Sequence, residues 1–157
     1  MKASRVVALI ALLSASSSAA HAQARDRAVI SRFIAGQASK LGGQEYREAR
    51  KMVAGDLNHD GVPDAAVLYT LEGIGGGNNY TQYLAVFLRD KDKGLLVPAA
   101  HATVGGKLYR EARLQSITDG AILFNIVSYE EKDAACCPSK KGATRYVLAD
   151  GKLQEQK

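Results

Sequence analysis

Short runs of β-forming residues, separated by turn residues, constrain the fold of this chain more than any other sequence feature. The predicted strands cover residues 46–52, 65–71, 83–88, 95–104, 108–117, 121–129 and 144–148. Asp119-Gly120 and Asp150-Gly151 stand at the ends of such runs, where Asp-Gly is a strong hairpin signal. Pro98 interrupts the fourth run and indicates an edge or a bulge. Short connections between the runs favour an antiparallel meander of six to seven strands.

A helical pattern precedes the strands. Apolar residues recur there at the spacing of one helix face: Ile30, Phe33, Ile34, Ala38 and Leu41. Gly42-Gly43 follows, and glycine is common just past a helix C-terminus. The strands do not alternate with further helices, which argues against a parallel sheet. The sequence therefore predicts an α+β, mostly β fold, with one N-terminal helix that covers a face or an edge of the sheet.

The first 22 residues have the three parts of a secretory signal peptide. Lys2 and Arg5 give a basic start, residues 6–13 form an apolar run, and Ala20-His21-Ala22 fits the small-x-small cleavage pattern. The run is too short for a membrane-spanning helix, which needs about 20 residues. We therefore expect a signal peptide over residues 1–22 and a single globular domain over residues 23–157. The product is expected to be periplasmic or secreted, with no membrane span.

The charge of the chain gives no support for a nucleic-acid partner. The sequence has 21 basic and 16 acidic residues. Removal of residues 1–22 takes away Lys2 and Arg5, which leaves a net charge of +3 with the basic residues scattered along the chain. A small and dispersed excess is typical of a solvated surface rather than of a nucleic-acid interface.

Residues 55–64, GDLNHDGVPD, form the sharpest candidate site. Side chains with oxygen atoms occupy loop positions one, three, five and nine: Asp56, Asn58, Asp60 and Asp64. Gly61 permits the sharp turn at position six, and the carbonyl of Val62 is placed to act as a further ligand. Calcium takes about six to eight oxygen ligands, and three crowded carboxylates favour a bound cation. The alternative is a metal-free, Asx-rich turn between two strands.

The segment is not an EF-hand, because Val67 stands at the twelfth position, where an EF-hand needs a bidentate glutamate. It resembles the calcium loops of FG-GAP and VCBS repeat proteins, in which Gly-Asp-Leu-Asn-x-Asp-Gly-x-x-Asp joins two strands. The resemblance is short and occurs once, so it implies the loop and not the propeller of those families. His59 lies between the ligand positions, and we interpret it as a surface residue. The ligands that the resemblance implies are Asp56, Asn58, Asp60, Val62 (through its carbonyl) and Asp64.

Cys136 and Cys137, followed by Pro138, are the only cysteines in the chain. An oxidising compartment favours a disulfide, but neighbouring Cα atoms lie about 3.8 Å apart, whereas ordinary disulfides span about 4.4–6.8 Å. Three states remain open: a bond between neighbours, two buried reduced thiols, and an intermolecular bond or shared metal. The Cys-x-x-Cys spacing of disulfide oxidoreductases is absent.

The mature chain as a whole resembles a family of small exported bacterial proteins. The resemblance rests on residues 55–67, 76–78, 83–86, Asp133, residues 136–139, 145–146 and 150–153. It implies that the aspartate loop, a tyrosine-bearing strand and the cysteine pair belong to one fold, and it brings no activity with it. Ala134-Ala135 stands where the resemblance leads us to expect a proline.

Two functional hypotheses follow from these features. The first is a non-catalytic binding or envelope-associated module with a structural calcium loop. Its partner, a protein or an envelope component, would contact a tyrosine-bearing face or the glycine-rich segment 73–81, which we interpret as a hairpin loop. The second is a periplasmic enzyme, hydrolytic or thiol-redox, that uses the Cys136-Cys137 region or a carboxylate near the calcium. It requires a concave pocket with perturbed ionisable groups. The lack of a catalytic motif favours the first.

Overall fold

The computed structural model describes the backbone of residues 4–156 and the side chains of residues 20–156. In this part of the chain, one helix, α1 (Ser4–Leu41), precedes nine strands. The strands are β1 (Gln44–Glu45), β2 (Lys51–Gly55), β3 (Asp64–Glu72), β4 (Tyr80–Arg89), β5 (Leu96–Gly106), β6 (Arg110–Thr118), β7 (Ala121–Ser128), β8 (Lys140–Ala149) and β9 (Lys152–Gln156). The predicted signal peptide lies mostly on residues 1–19, outside the described side chains. Within the described residues, no helix has the length and apolar character needed to cross a membrane.

The strands form one antiparallel sheet in the order β1-β3-β4-β5-β6-β7-β8-β9, with β2 also paired to β3. The predicted mostly-β meander with an N-terminal helix is confirmed. The prediction of six to seven strands is too low, because β1 and β9 are short, polar strands that no apolar run marks. The bulge expected at Pro98 is present, since Phe87 pairs with Pro98 and Val86 with Ala100, leaving Ala99 unpaired.

The prediction of one continuous strand over residues 46–52 is wrong, because residues 47–49 do not form a strand. A 3-10 turn, Arg47–Ala49, separates β1 from β2. Glu45 pairs with Leu71 and Lys51 with Leu68, so the five residues between Glu45 and Lys51 lie opposite only two residues of β3. The guanidinium of Arg50 donates to both carboxylate oxygens of Glu45, at 2.6 Å each, and to the hydroxyl of Ser31 on α1, at 2.9 Å. These tertiary bonds override the local alternation of polar and apolar residues.

The helix packs through the face that its spacing predicts. Ile30, Ile34 and Ala38 are buried, while Leu41 at its end is 39% exposed. The helix stops because Gly42 takes a φ of 67°, and the N–H of the next residue donates to the carbonyl of Ala38 at 3.0 Å. This is a Schellman termination, and it turns the chain back toward β1.

Two apolar clusters lie on opposite faces of β3 and β4. The first lies under α1 and contains Ile30, Ile34, Ala38, Ala65, Val67, Tyr69, Leu71, Tyr83, Ala85, Phe87 and Leu96. The second contains Leu57, Ala66, Leu68, Leu84, Val86, Val104, Ala112, Leu114, Ile122, Phe124 and Tyr146. Burial of both faces explains the nearly continuous apolar sequence of β3, whose residues 64–71 are all buried.

The sheet bends sharply between β5 and β6. These strands share one register pair, Gly106 with Arg110. The side chain of Gln82 on β4 instead bonds to the backbone of Ala112 on β6, through Nε2 to the carbonyl at 3.1 Å and from the N–H to Oε1 at 2.8 Å. The halves β1–β5 and β6–β9 therefore fold over one another and enclose the second cluster.

A partly buried ion pair links the last strand to the rest of the sheet. Arg110 is 7% exposed, and its guanidinium donates to both carboxylate oxygens of Glu155, at 2.7 and 3.1 Å. It also donates to the carbonyl of Val104 and the hydroxyl of Tyr146, each at 2.7 Å. Thr144 donates its hydroxyl to the same carboxylate at 2.8 Å. The network therefore connects β5, β6, β8 and β9.

Candidate functional site

The aspartate loop joins β2 to β3, as its flanking runs predict. Gly55 and Asp64 form the register pair that closes it. Gly61 has a φ of 83°, a conformation that glycine adopts at little cost. Gly55 is required for a different reason: an added Cβ would lie 2.6 Å from the Cβ of Ile117 on β6. The loop is therefore seated tightly against the second half of the sheet.

The first two predicted ligands converge on one backbone amide. Oδ1 of Asp56 and Oδ1 of Asn58 accept from the N–H of Asp60, at 3.1 and 3.2 Å. Oδ2 of Asp56 accepts from the N–H of Gly61 at 2.8 Å, and this bond is the main cause that lowers the pKa of the Asp56 carboxyl. Asp56 therefore stays ionised, with its oxygens gathered beside the Asn58 amide.

The third predicted ligand, Asp60, closes the same cluster. Its Oδ1 accepts from the N–H of Val62 at 2.8 Å, and its Oδ2 accepts from Nδ2 of Asn58 at 3.1 Å. The ammonium of Lys91 lies 3.9 Å from Oδ2, but the Lys91 side chain is 54% exposed, so water screens this pair. The structure thus brings Asp56, Asn58 and Asp60 together.

Asp64 differs from the other carboxylates because it is buried, with 1% exposure. Its Oδ2 accepts from the N–H of Leu57 at 2.9 Å, and its Oδ1 accepts from the N–H of Arg89 at 2.8 Å. The carboxylate therefore ties the start of the loop to the end of β4. It lies at the base of the loop, on the inner side of the Asp56–Asp60 turn.

The predicted donor set consists of oxygen atoms: three carboxylates, one amide and the carbonyl of Val62. This chemistry fits a hard cation such as Ca²⁺. Each of the three carboxylates accepts at least one hydrogen bond from a backbone N–H group in this structure. Among the described residues, His, Cys, Asp and Glu side chains form no group of three that could hold a metal ion. His59 is exposed, with its ring against Gly120 of the β6–β7 turn.

The cysteine pair lies in the loop between β7 and β8, and the structure joins Cys136 to Cys137 by a disulfide. Both residues are exposed, so the alternative of two buried reduced thiols is wrong.

The glycine-rich segment forms the hairpin loop between β3 and β4, closed by a bond from the Gly73 N–H to the Asn79 carbonyl at 2.9 Å. The aspartate loop and the glycine-rich loop therefore lie at opposite ends of β3.

A depression of about 330 Å³ lies on the outer part of the sheet. Apolar and amide side chains dominate its lining, and Arg145 is its charged member: Gln115, Leu123, Phe124, Asn125, Ala143, Thr144, Arg145 and Gln156. Two tyrosines are strongly perturbed: burial raises the pKa of Tyr69, which lies under the helix, and of Tyr146, which lies in the second apolar cluster. The structure thus places these features apart from the aspartate loop and the cysteine pair.

Sequence reasoning missed Arg89, which supports the loop from outside. Its guanidinium donates to the Asp26 carboxylate on α1 at 2.7 and 3.1 Å, and to the carbonyls of Pro63 and Gly94. The bond to Asp26 is the main cause that raises the pKa of Arg89. An arginine at the end of an apolar strand gave no signal of these contacts, because they join three separate parts of the chain.

No protein-family model, curated protein or solved structure matches this chain.

Proposed function

We propose that the protein is an exported, non-catalytic binding module whose β2–β3 loop holds a structural calcium ion. The observation that carries the proposal is the convergence of Asp56, Asn58 and Asp60 around one turn. Export is inferred from the signal pattern of residues 1–22, and the calcium loop also rests on the resemblance to FG-GAP and VCBS loops. When bound, calcium would compensate the negative charge of the three neighbouring carboxylates.

The residues that would hold the ion have separate tasks. Asp56, Asn58 and Asp60 would turn side-chain oxygens inward, and Val62 would offer its carbonyl. Asp64 already links the loop to β4 and would add a carboxylate oxygen at the base. Cation binding would therefore stiffen a connection that the fold has already positioned, so its main effect is expected on stability.

Calcium is expected to raise the thermal midpoint of the purified protein by several degrees over the value in EDTA. A ligand at a hundred times its dissociation constant stabilises by about 2.7 kcal/mol, and a domain of this size gains about 2–4 °C per kcal/mol or more. Asp60→Ala should abolish the shift, because it removes a predicted ligand from a partly exposed position. Differential scanning calorimetry, with and without calcium, measures both effects.

Asp92→Ala is the matched control, since Asp92 lies outside the loop in the β4–β5 turn, where its N–H donates to Asp90. This variant should keep the full calcium shift. A wild-type midpoint that does not change with millimolar calcium would show that the loop is a metal-free Asx turn. A shift that survives Asp60→Ala would place the cation elsewhere.

The binding surface that we propose lies at the opposite end of β3. Leu108 and Tyr109, in the β5–β6 turn, are 65% and 50% exposed. Nζ of Lys107 donates to the carbonyl of Asn78 in the glycine-rich loop at 2.7 Å. The guanidinium of Arg110 lies 4.8 Å from the centre of the Tyr109 ring, a cation–π contact that supports the ring. Exposed, supported aromatic residues are typical anchors for a protein partner.

Immobilised protein is expected to retain a partner from periplasmic extract, and Leu108→Ser with Tyr109→Ser should remove most of that binding. The loss follows because the anchor side chains disappear while the buried network of Arg110 remains. Val97→Ser is the control, since Val97 is equally exposed at 50% but lies on β5 away from this turn. Quantitative mass spectrometry of the retained proteins compares the variants. Empty eluates, with and without calcium, would contradict a binding function.

A further inference from the structure

The disulfide of Cys136 and Cys137 lies in an exposed loop, residues 129–139, between β7 and β8. Ser128 and Lys140 form the register pair that closes this loop. Both cysteines are exposed, as are the residues on either side of Asp133. The sulfur atoms therefore lie outside both apolar clusters, where a reagent in solution can reach them.

The loop has a hydrogen-bonded frame that does not depend on the disulfide. The Asp133 carboxylate accepts from the N–H groups of Glu130 and Ser139, at 2.8 Å each, and from the Ser139 hydroxyl at 2.8 Å. These bonds also lower the pKa of Asp133. The hydroxyl of Tyr129 donates to the carbonyl of Ala135 at 2.8 Å. The two ends of the loop are thus held together by groups other than sulfur.

A bond between neighbours has little to contribute to the stability of the fold. A disulfide stabilises a protein mainly by restricting the unfolded chain, and the effect grows with the number of residues it encloses. Cys136 and Cys137 are adjacent, so their bond encloses no chain segment and joins no two strands. An exposed disulfide without this structural task, held in a framed loop, is suited to chemistry with an external thiol.

We infer that Cys136-Cys137 is a thiol–disulfide exchange site that accepts two electrons from an external dithiol. A thiolate of the donor attacks one sulfur of the pair, the bond between Cys136 and Cys137 breaks, and the leaving sulfur takes a proton. The donor's second thiolate then attacks the mixed disulfide. The donor ends as a disulfide, and Cys136 and Cys137 end as two thiols, so two electrons and two protons are transferred.

The adjacency of the cysteines selects a dithiol over a monothiol as the reductant. After a monothiol attacks, the freed cysteine is the immediate neighbour of the cysteine in the mixed disulfide. Its thiolate attacks the mixed disulfide, the monothiol leaves, and the bond between Cys136 and Cys137 forms again. A dithiol carries its own second thiol at a comparable distance and completes the reduction. The inference is independent of the calcium loop, which lies at the other end of the sheet strands.

The test is a redox titration of the purified, folded protein in buffers of reduced and oxidised dithiothreitol, with maleimide trapping and intact-mass analysis. Molecules should carry either no maleimide or two, and the thermal midpoint should change by a few degrees at most on reduction. Glutathione should leave no lasting adduct on the wild type. With oxidised glutathione present, Cys137→Ser should accumulate a glutathione adduct on Cys136: the Cys136 thiolate attacks glutathione disulfide, reduced glutathione leaves, and no neighbouring thiol remains to expel the adduct.

Cys136→Ser with Cys137→Ser is the control: it should take up no maleimide and keep the thermal midpoint. The rate of reduction by a protein that carries a Cys-x-x-Cys pair is then compared with the rate of reduction by dithiothreitol at equal concentration. The comparison distinguishes a protein donor from a small-molecule dithiol donor. Faster reduction by the protein assigns a protein donor, and equal or slower reduction assigns a small dithiol. Resistance to reduction until the protein unfolds would overturn the inference. So would a lasting glutathione adduct on the wild type, or unfolding of the reduced wild type.

Discussion

Asp64→Ala is expected to lower the free energy of unfolding by about 3–5 kcal/mol. The side chain is 1% exposed, and its two oxygens accept from the N–H groups of Leu57 and Arg89. Alanine leaves both donors without an acceptor, at a cost of about 1–3 kcal/mol each, and a small cavity adds to that cost. Urea unfolding in EDTA measures the loss without any contribution from a bound cation.

Two variants separate this role from metal binding. Asp64→Asn keeps one acceptor oxygen, so its loss of stability should be clearly smaller than that of alanine. Asp60→Ala in EDTA should cost much less, because Asp60 bonds only within the partly exposed loop turn. An Asp64→Ala protein as stable in EDTA as the wild type would refute the view that this carboxylate fixes the loop to β4.

Arg110→Ala is expected to cost about 2–4 kcal/mol, because it leaves the buried carbonyl of Val104 without a donor, at about 1–3 kcal/mol, and removes a packed side chain of a residue that is 7% exposed. The Glu155 side chain is 29% exposed, so water can hydrate its charge after the substitution. Glu155 would lose the guanidinium that holds both its oxygens, and the Val104 carbonyl would lose its donor. Tyr146→Phe is the control, since it removes one hydroxyl acceptor and should cost about 1 kcal/mol. Urea unfolding at neutral pH compares the three proteins, and equal stabilities of wild type and Arg110→Ala would contradict the prediction.

The same pair gives the wild type a measurable acid sensitivity. The hydrogen bonds of Arg110 are the main cause that holds the pKa of the Glu155 carboxyl below its usual 4.5. The pair therefore stabilises the folded state fully above that value, and its contribution is lost as pH falls through the lower folded pKa. Arg110→Ala should lack this part of the acid decline, so its stability should fall less steeply below pH 4.5.

The parts of the fold that local pattern determines could be predicted from the sequence. The strands β3 to β8 coincide with apolar runs, and the glycine after Leu41 ends the helix where expected. The break between β1 and β2 could not be predicted, because it depends on the bonds of Arg50 to Glu45 and to Ser31 on α1. The last strand is polar and is held by the contact of Glu155 with Arg110, which local sequence does not reveal.

The candidate site shows the same division between local and tertiary causes. The spacing of Asp56, Asn58 and Asp60 sufficed to predict that their side chains meet around one turn. From the same spacing we predicted that Asp64 is a ligand equivalent to the others. In the fold, however, Asp64 is buried and accepts a hydrogen bond from a backbone amide of β4. Adjacency alone left the state of Cys136 and Cys137 open, because exposure of their loop depends on how the β7–β8 hairpin leaves the sheet.

The sequential strand order has a kinetic consequence. From β3 to β9, each strand pairs with the strand that follows it in the chain, so each pairing closes a short loop and costs little entropy. Strands can therefore zip on as successive hairpins, a topology of low contact order that favours rapid folding. The slow event should be the docking of the halves across the bend at Gly106 and Arg110. That step alone brings β2 against β6 and β5 against β9.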